Sequence, residues 1–340
     1  MARSRDSIRE SQDSDISRIR ARTHQLNDAL EQAETQPWVP FDCRQMTTGT
    51  YGGRCDSVST QNLQVVSEHQ SQAVNKSGAM PRNLCTVSVT RHAPPSEARF
   101  SHLTSPEDSW VYFLPENTEF DILVPAHMGT LYLCLDQERL LEGARALNPD
   151  YWDKAPTDLI AFQSDQRTAF IEGLKSLLEL YLAPPVEAPA PKAPLEAMLI
   201  DTALLAMATA TALVDDRTPE FHARRRALQT VSRAREYIET CLSARQVPTL
   251  VDICTQAGVS ERTLQYSFQH QLQISPITYV RISRLHWVRR ALRQQPGEHQ
   301  TVTEAATAWG FFHLSKFAQD YARLFGERPS ETLARARLRQ

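Results

Sequence analysis

The last third of the chain contains two copies of one pattern, and this repeat constrains the fold more than any other feature. Three large apolar residues recur 53 positions later, so that Leu264, Phe268 and Leu272 correspond to Phe317, Tyr321 and Phe325. Pro276 and Pro329 are separated by the same interval, and Gly258 and Gly310 by 52 positions. Matched apolar, glycine and proline positions indicate two copies of one small folding unit.

The first copy has the signals of two helices joined by a tight turn. Thr249 and Ser260 are typical N-cap residues, because their hydroxyl oxygens can accept a hydrogen bond from a backbone N–H group in the first turn. Gly258 lies between them and can adopt the left-handed conformation that such a turn requires. Apolar residues at every fourth position of the second helix form a buried stripe. The pattern therefore predicts a helix-turn-helix unit.

The other side chains of this second helix face outward. They include Arg262, Gln265, Tyr266 and Gln269. Side chains of these types hydrogen-bond to base edges and phosphates when a helix lies in the major groove of DNA. We therefore expect these four residues to contact DNA.

The charge of the chain is divided unevenly. Residues 220–340 contain 18 Lys and Arg residues against 10 Asp and Glu, a net charge of +8, whereas the preceding 219 residues have a net charge of −11. Of the 18 basic residues, only Lys316 is not an arginine, and the planar guanidinium of arginine can grip phosphate or guanine with two hydrogen bonds. The division indicates that only the C-terminal part binds a polyanion.

A further helix is predicted between the two copies. The apolar spacing of residues 277–293 is helical, and about seventeen helical residues make a rod of roughly 26 Å. Because successive major grooves on one face of DNA are about 34 Å apart, such a rod is suited to hold two helices in successive grooves. Five arginines lie along it: Arg281, Arg284, Arg289, Arg290 and Arg293. We interpret some of them, including Arg289, as phosphate contacts and the rest as solvated side chains.

The N-terminal two thirds of the chain have a different texture. Residues 1–36 are polar with few apolar positions, which predicts a polar, partly disordered tail or at most a weak, partly ordered helix. Short alternating segments between about residues 41 and 135 predict antiparallel strands in a sandwich or small barrel. These segments include residues 63–66, 85–89, 110–113 and 131–134.

Helical patterns follow the predicted strands, in residues 137–147 and 158–182. Five prolines between residues 183 and 194 predict a semi-extended spacer, because no helix tolerates them. Residues 195–214 are a very apolar helix that needs either the core of its own domain or a second subunit as a partner. We expect the helix of 158–182 or that of 195–214 to mediate dimerisation.

At this point the residues support a family resemblance. Residues 226–338 closely resemble the DNA-binding domain of the AraC/XylS regulators. The matching motifs are 264–268, Ser275-Pro276-x-x-Tyr279, Arg284-Leu285, Ala305-Ala306-x-x-Trp309-Gly310-Phe311 and Phe325-Gly326-x-x-Pro329-Ser330. The resemblance covers about a third of the chain and implies an all-α domain in which a linker helix joins two helix-turn-helix motifs.

The resemblance also implies that both second helices read DNA. In the second copy, the corresponding residues are His313, Leu314, Ser315, Lys316 and Gln319. Two positions depart from the family pattern. Gln273 stands where members usually have a glycine, and the apolar Leu314 could touch only a thymine methyl group or the core. We therefore expect the second copy to contribute mainly phosphate contacts.

The region before this domain resembles the sensing domain of some family members, which is a β-rich, cupin-like fold followed by dimerising helices. We accordingly divide the chain into a tail (1–36), a β-rich sensing and dimerisation domain (37–219) and the DNA-binding domain (220–340). The implied function is a ligand-responsive transcriptional activator in the cytoplasm. Its implied partners are double-stranded DNA, RNA polymerase, a small-molecule effector of unknown identity and a second copy of the chain.

Other functions have less support in the sequence. A metal-dependent cupin enzyme needs an HxH pair, but the histidines of the β-rich region, His69, His92, His102 and His127, are isolated. The sequence also has no Gly-rich phosphate loop and no GxSxG motif, so we expect no catalytic, metal or cofactor site. No apolar run is long enough to span a membrane. A repressor, or an architectural DNA-binding protein without small-molecule input, remains as an alternative.

Overall fold

The N-terminal half is built from two facing β-sheets, as the alternating pattern predicts. This computed structural model describes residues 19–91, 98–104, 110–183, 192–212, 218–294 and 301–338. Within these ranges the strands are β1 (Arg20–Leu26), β2 (Phe41–Gln45), β3 (Gly53–Ser59), β4 (Leu63–Gln70), β5 (Val74–Ala79), β6 (Leu84–Arg91), β7 (Arg99–Phe100), β8 (Leu103–Thr104), β9 (Trp110–Leu114), β10 (Glu119–Val124), β11 (Gly129–Asp136), β12 (Ile160–Gln163) and β13 (Thr211–Ala212).

The described strands form one sheet of eight and one of five. The larger sheet has the order β1-β3-β4-β11-β6-β9-β12-β13, and the smaller has the order β2-β5-β10-β7-β8. Neighbouring strands are antiparallel, as in the seven-residue register that pairs Arg20 with Ser59 and Leu26 with Gly53. The predicted strands at 63–66, 85–89, 110–113 and 131–134 lie in β4, β6, β9 and β11, which confirms them.

The helices of the described residues fall into two groups. The first group, α1 (Ala29–Glu34), α2 (Gln137–Leu147), α3 (Pro149–Trp152), α4 (Arg167–Leu182) and α5 (Lys192–Ala208), belongs to the β-rich half. The second group forms the helical half: α6 (Pro219–Ser243), α7 (Leu250–Ala257), α8 (Glu261–Leu272), α9 (Pro276–Arg293), α10 (Val302–Ala308), α11 (Leu314–Phe325) and α12 (Pro329–Leu338). Among the described helices, none is both long and apolar enough to cross a lipid bilayer.

Period-2 alternation explains how the larger sheet holds two cores. Alternate residues of β4, β6 and β11, such as Val65, Val87 and Leu133, pack with α2, α4 and α5. Residues of the opposite parity, such as Val66 and Cys134, face the smaller sheet. The apolar helix α5 therefore finds a partner in the core of its own domain.

Three predicted boundaries were wrong. The expected tail contains β1 and α1. Although β1 has no apolar pattern, it pairs with β3 along its whole length, and this pairing provides hydrogen-bond partners for its backbone groups. Residues 160–163, expected to be helical, pair with β9 instead, and the helix begins at Arg167. The proline-rich spacer ends earlier than expected, since α5 begins at Lys192 and a proline is tolerated in the first turn. Residues 1–18 and 184–191 lie outside the described residues.

The helical half has the repeated arrangement that the sequence predicts. Thr249 caps α7 through a capping box with Asp252, and Gly258 turns the chain with a φ of 69°. In the second copy Thr301 caps α10 through a capping box with Glu304. We call α7–α8 the first unit, α10–α11 the second unit, and α8 and α11 the recognition helices. One core joins both units to α6, α9 and α12.

Candidate nucleic-acid interface

The first recognition helix exposes the residues that the sequence singled out. Ser260 caps α8 by accepting a hydrogen bond from the backbone N–H of Thr263 at 3.2 Å. The stripe formed by Leu264, Phe268 and Leu272 is buried. Arg262, Tyr266 and Gln269 are exposed and Gln265 is half-buried. The helix is thus fixed from behind while four hydrogen-bonding side chains remain on its outer side.

The second recognition helix exposes the polar side chains at its N-terminal end. His313, Leu314, Ser315, Lys316 and Gln319 are all exposed, and Leu314 is 39% accessible. At this exposure Leu314 does not belong to the core. Of the two environments expected for it, contact with a thymine methyl group remains. The Lys316 ammonium lies 3.5 Å from the Asp320 carboxylate.

A cleft lies between the two units, and the linker helix α9 forms its floor. Its lining includes Ile277, Arg281 and Arg284, which we call the front face of α9. The guanidinium of Arg284 donates from Nε to the carbonyl of Trp309 at 2.7 Å and lies 4.0 Å from the ring centre of Phe311. Burial, and then the neighbouring Arg281, lower the pKa of Arg284 from its usual value.

The opposite side of α9 is covered by the β-rich half. We call Ser283, His286, Arg289, Arg290 and Arg293 the rear face of α9. Its arginines meet acidic side chains of α1, β2 and the turn before α1. Since successive helical residues are about 100° apart, the front and rear faces point in nearly opposite directions.

Asp28 is the centre of this contact. Its carboxylate pairs with both Arg289 and Arg293, and Arg289 also pairs with Glu327 at 2.7 Å. Although burial raises the pKa of Asp28, the two guanidinium groups outweigh it and hold that pKa below its usual range. The predicted phosphate contact of Arg289 was wrong, because this side chain is only 4% exposed and already holds two carboxylates.

A second polar cluster connects the smaller sheet to α6. Arg44 of β2 pairs with Glu239 and donates to the hydroxyl groups of Tyr279 and Ser283 at 3.2 and 3.0 Å. Arg235 of α6 pairs with an acidic residue of β10, Asp121. Each buried guanidinium is therefore neutralised across the boundary between the two halves.

Backbone groups complete the attachment behind the second unit. The side-chain amide of Gln45 donates to the carbonyl of Leu324 at 2.5 Å, and the backbone N–H of Gly49 donates to that of Arg323 at 3.0 Å. His286 hydrogen-bonds through Nε2 to the carbonyl of Gln45 at 2.9 Å. Burial lowers the pKa of His286 to about 4, so the ring is neutral at neutral pH.

This geometry leaves both recognition helices accessible. The β-rich half occupies the rear face of α9, whereas the outer sides of α8 and α11 are exposed. The acidic residues that hold the rear face were not identified from the sequence. Their only signal was the excess of negative charge in the first 219 residues.

The helical half is similar to several known proteins. A family model described as a helix-turn-helix domain matches residues 253–335. The chain is 37% identical over 98 residues to a probable thc operon regulatory protein of Rhodococcus erythropolis, covering 29% of each chain. It is 34% identical over 104 residues to the XylDLEGF operon transcriptional activator 3 of Pseudomonas putida, covering 31% of each. The chain thus spans about a third of the length of these two curated relatives.

One solved structure is covered almost completely by the match. It is a probable AraC family transcriptional regulator from Rhodopseudomonas palustris CGA009, at 36% identity over 32% of this chain and 96% of that one, with a TM-score of 0.28. The fold and the exposed recognition helices define a helix-turn-helix DNA-binding protein. The chain belongs to the AraC/XylS family of transcriptional regulators.

Proposed function

We propose that this protein is a sequence-specific transcription regulator that inserts α8 and α11 into successive major grooves of DNA. The observation that carries the proposal is that both recognition helices are exposed while the β-rich half is bound to the rear face of α9. The net charge of +8 on residues 220–340 favours binding to a polyanion. The stiff linker helix α9 supports the spacing between the two helices.

The two recognition helices take different roles in this proposal. On α8, Arg262 and Gln265 read base edges, with Tyr266 and Gln269 beside them, because Arg and Gln side chains can make two hydrogen bonds to one base. On α11, Lys316 contacts phosphate, and His313, Ser315 and Gln319 support it. Leu314 makes an apolar contact of the kind that a thymine methyl group accepts.

The test of these roles compares binding to a specific site with binding to random DNA. The site is first found by mapping the positions that the full-length protein occupies in a genome. Arg262→Ala or Gln265→Ala is expected to cost about 1 to 3 kcal/mol and to relax preference at one or two base pairs. Lys316→Ala is expected to weaken all sequences alike and to reduce the salt dependence by about one phosphate contact.

The control for this test is a salt titration of the unmodified protein. Affinity of the unmodified protein should fall steeply between about 50 and 200 mM salt. If Arg262→Ala also lost equal affinity for specific and random DNA, as is expected of Lys316→Ala, the division of roles would be contradicted. An interaction that does not depend on salt would contradict DNA binding by this surface.

Activation of transcription is proposed from the relatives. The printed name of the Pseudomonas putida relative is that of an operon activator, and activation implies contact with RNA polymerase. Transcription in vitro with purified polymerase and a mapped site distinguishes the activator from the alternative, a repressor or an architectural protein without small-molecule input. A fall in transcript with added protein would contradict activation.

Ligand response is proposed from the position of the smaller sheet. In β2 and β10, Phe41, Phe120 and Ile122 line a cavity inside the β-rich half. Residues of opposite parity in the same strands, Arg44 and Asp121, hold the helical half. A ligand that moves these strands would therefore move the contacts with α6 and α9. We place this response in the cytoplasm, where the DNA is.

Dimer formation is proposed from exposed apolar residues on α4 and α5. Leu180, Met198 and Leu205 are 70, 51 and 56% accessible, which is unfavourable unless another surface covers them. Leu180→Glu combined with Leu205→Glu is expected to convert a dimer into a monomer in sedimentation equilibrium. A doubly substituted protein that keeps the mass of a dimer would contradict the assignment of these helices.

A further inference from the structure

The β-rich half contains a partly open cavity of about 90 Å³ between its two sheets. One part of the wall is apolar and includes Val39, Phe41, Phe100, Phe120, Ile122 and Val124. The other part is polar and carries one carboxylate, Glu68 of β4, and one ammonium group, Lys76 of β5. An apolar cavity with a few convergent polar groups is the usual form of a small-molecule site.

The two charged groups neutralise each other. The Lys76 ammonium donates to the Glu68 carboxylate, and the two side chains are only 9 and 2% exposed. Glu68 also accepts hydrogen bonds from the Gln36 amide and, at 2.7 Å, from the Thr130 hydroxyl. Burial raises the pKa of Glu68, but Lys76 and these donors outweigh it and keep the pKa below its usual value.

The balance of charge determines which ligands the cavity can accept. Neither Arg nor Asp is among the residues that line it, so its wall has no net charge. A carboxylate that entered would share one ammonium group with Glu68, and a cation would share one carboxylate with Lys76. Because removing an ion from water costs several kcal/mol unless a partner compensates it, an uncharged ligand is favoured.

The hydrogen bonds already formed determine the polarity of the ligand. Both oxygens of Glu68 are occupied by donors. The Lys76 ammonium has three N–H groups and within the described residues uses one of them, on Glu68. The ring centre of Phe41 lies 5.9 Å from the same nitrogen. A ligand that reaches Lys76 must therefore offer it an acceptor, such as a carbonyl or hydroxyl oxygen.

From these observations we propose that the cavity binds a small uncharged molecule with an apolar body and one hydrogen-bond acceptor directed at Lys76. The size agrees with this class, since an apolar cavity of about 150 Å³ holds benzene, and 90 Å³ suits a smaller compound. The proposal rests on the proposed ligand response, for which it names the chemical class of the ligand.

Three probes of equal size and different charge test the proposal. Propionamide is neutral, propionate is an anion and propionamidinium is a cation, and the rest of the molecule is the same. Binding to the full-length protein is measured at neutral pH by saturation-transfer NMR and by calorimetry. Propionamide is expected to bind at least about tenfold more tightly than either ion, which corresponds to about 1.4 kcal/mol.

Two variants then examine the source of this preference. Glu68→Gln leaves the ammonium of Lys76 without a counter-charge, so the preference is expected to change from propionamide to propionate. Ser88→Leu places a larger side chain in the cavity wall and is expected to abolish binding of all three probes while leaving the polar cluster in place. Circular dichroism of each variant establishes that it is folded.

The possible results either support or contradict the proposal. Selective binding of propionamide, lost in Ser88→Leu, supports the proposal even if Glu68→Gln does not fold. Absence of binding by all three probes, or binding of propionate to the unmodified protein at least as tight as that of propionamide, would overturn it. DNA affinity measured on the same samples separates this result from the proposed DNA binding, which does not depend on the cavity.

Discussion

The two helix-turn-helix units share one plan but are attached to the β-rich half in different ways. In the first unit, Arg99 of β7 donates to the carbonyl of His270 in α8 at 3.5 Å, and α6 adds a second connection, where Arg235 pairs with Asp121. In the second unit the recognition helix itself is held, because Gln45 donates to the carbonyl of Leu324 near the end of α11. A displacement of the smaller sheet would thus act on α11 through the short hydrogen bond of Gln45, and on α8 through the longer contact of Arg99 and through α6.

The residues that end the two recognition helices reflect this difference. Gln273 after α8 and Gly326 after α11 occupy equivalent positions of the repeat, and both have a left-handed backbone, with φ values of 59 and 69°. A Cβ atom on Gly326 would lie 2.6 Å from the backbone nitrogen of Thr50. A side chain at Gly326 would therefore require Thr50 to shift, whereas the side chain of Gln273 is exposed.

The largest effect is expected for Arg289→Ala. Removing this guanidinium leaves the buried carboxylate of Asp28 with Arg293 as its remaining partner and removes the hydrogen bond to Glu327. Loss of one member of a buried ion pair costs about 3 to 5 kcal/mol, and we expect a loss of about 4 kcal/mol in the free energy of unfolding. Chemical denaturation of the full-length protein measures it.

Arg281→Ala is the matched control on the front face of α9. Its side chain is 45% exposed and pairs with Asp320, so its loss is expected to cost less than about 1 kcal/mol. For the fraction of Arg289→Ala that remains folded, the salt dependence of DNA binding should equal that of the unmodified protein. A reduced salt dependence would mean that Arg289 contacts a phosphate after all, and it would contradict the distinction between the front and rear faces of α9.

The next largest effect is expected at the two helix ends. Gly326→Ala combines a left-handed alanine, which costs about 1 to 2 kcal/mol, with a clash against Thr50. We expect a total loss of about 3 kcal/mol. Gln273→Gly removes the cost of a left-handed backbone at a non-glycine residue. Because glycine also has greater freedom in the unfolded chain, we expect the free energy of unfolding to increase by only about 0.5 kcal/mol. Denaturation curves of both variants measure the contrast.

Similar behaviour of the two variants would contradict this comparison. If Gly326→Ala were as stable as the unmodified protein, the close approach of Thr50 to the end of α11 would be absent in solution. Gly258→Ala serves as a control, since Gly258 has the same left-handed backbone with nothing within 4 Å of its Cβ position. It should cost only the backbone term of about 1 to 2 kcal/mol.

The repeat could be predicted from the sequence because its signals are local. Caps, turn glycines and apolar residues at every fourth position each involve residues less than about one helix apart. They predicted the starts of α7 and α8, and they placed α9 to within one residue of its observed range. The exposure of Arg262 and Tyr266 followed from the same spacing. These features depend on helix geometry alone, which the sequence pattern reflects directly.

The contact between the halves could not be predicted in this way. Asp28 and Arg289 are 261 residues apart, and Gln45 and Leu324 are 279 residues apart. No periodicity connects such positions, and the arginines of the front and rear faces of α9 look alike in the sequence. The same limitation applies to β1, whose order comes from pairing with β3 rather than from an apolar pattern of its own.

The third effect is a dependence on pH that comes from the rear face. Burial lowers the pKa of His286 from its ordinary value of 6.5 to about 4, against the Gln45 carbonyl and with Arg44, Asp28 and Asp42 nearby. As the pH falls below 6.5, His286 binds a proton in the unfolded chain but stays neutral in the folded chain. The free energy of unfolding therefore decreases toward pH 4. Between pH 7 and 5 the expected loss is about 2 kcal/mol.

The variant His286→Gln isolates this contribution, because a glutamine amide can donate to the Gln45 carbonyl but does not titrate. Burial also lowers the pKa values of His102 and His270, so the measured quantity is the difference between the two proteins. Carboxylates with lowered pKa, such as Asp28, lose their contribution only at more acidic pH. Equal slopes of unfolding free energy between pH 7 and 5 would mean that His286 is hydrated, and that the second unit is held no more closely than the first.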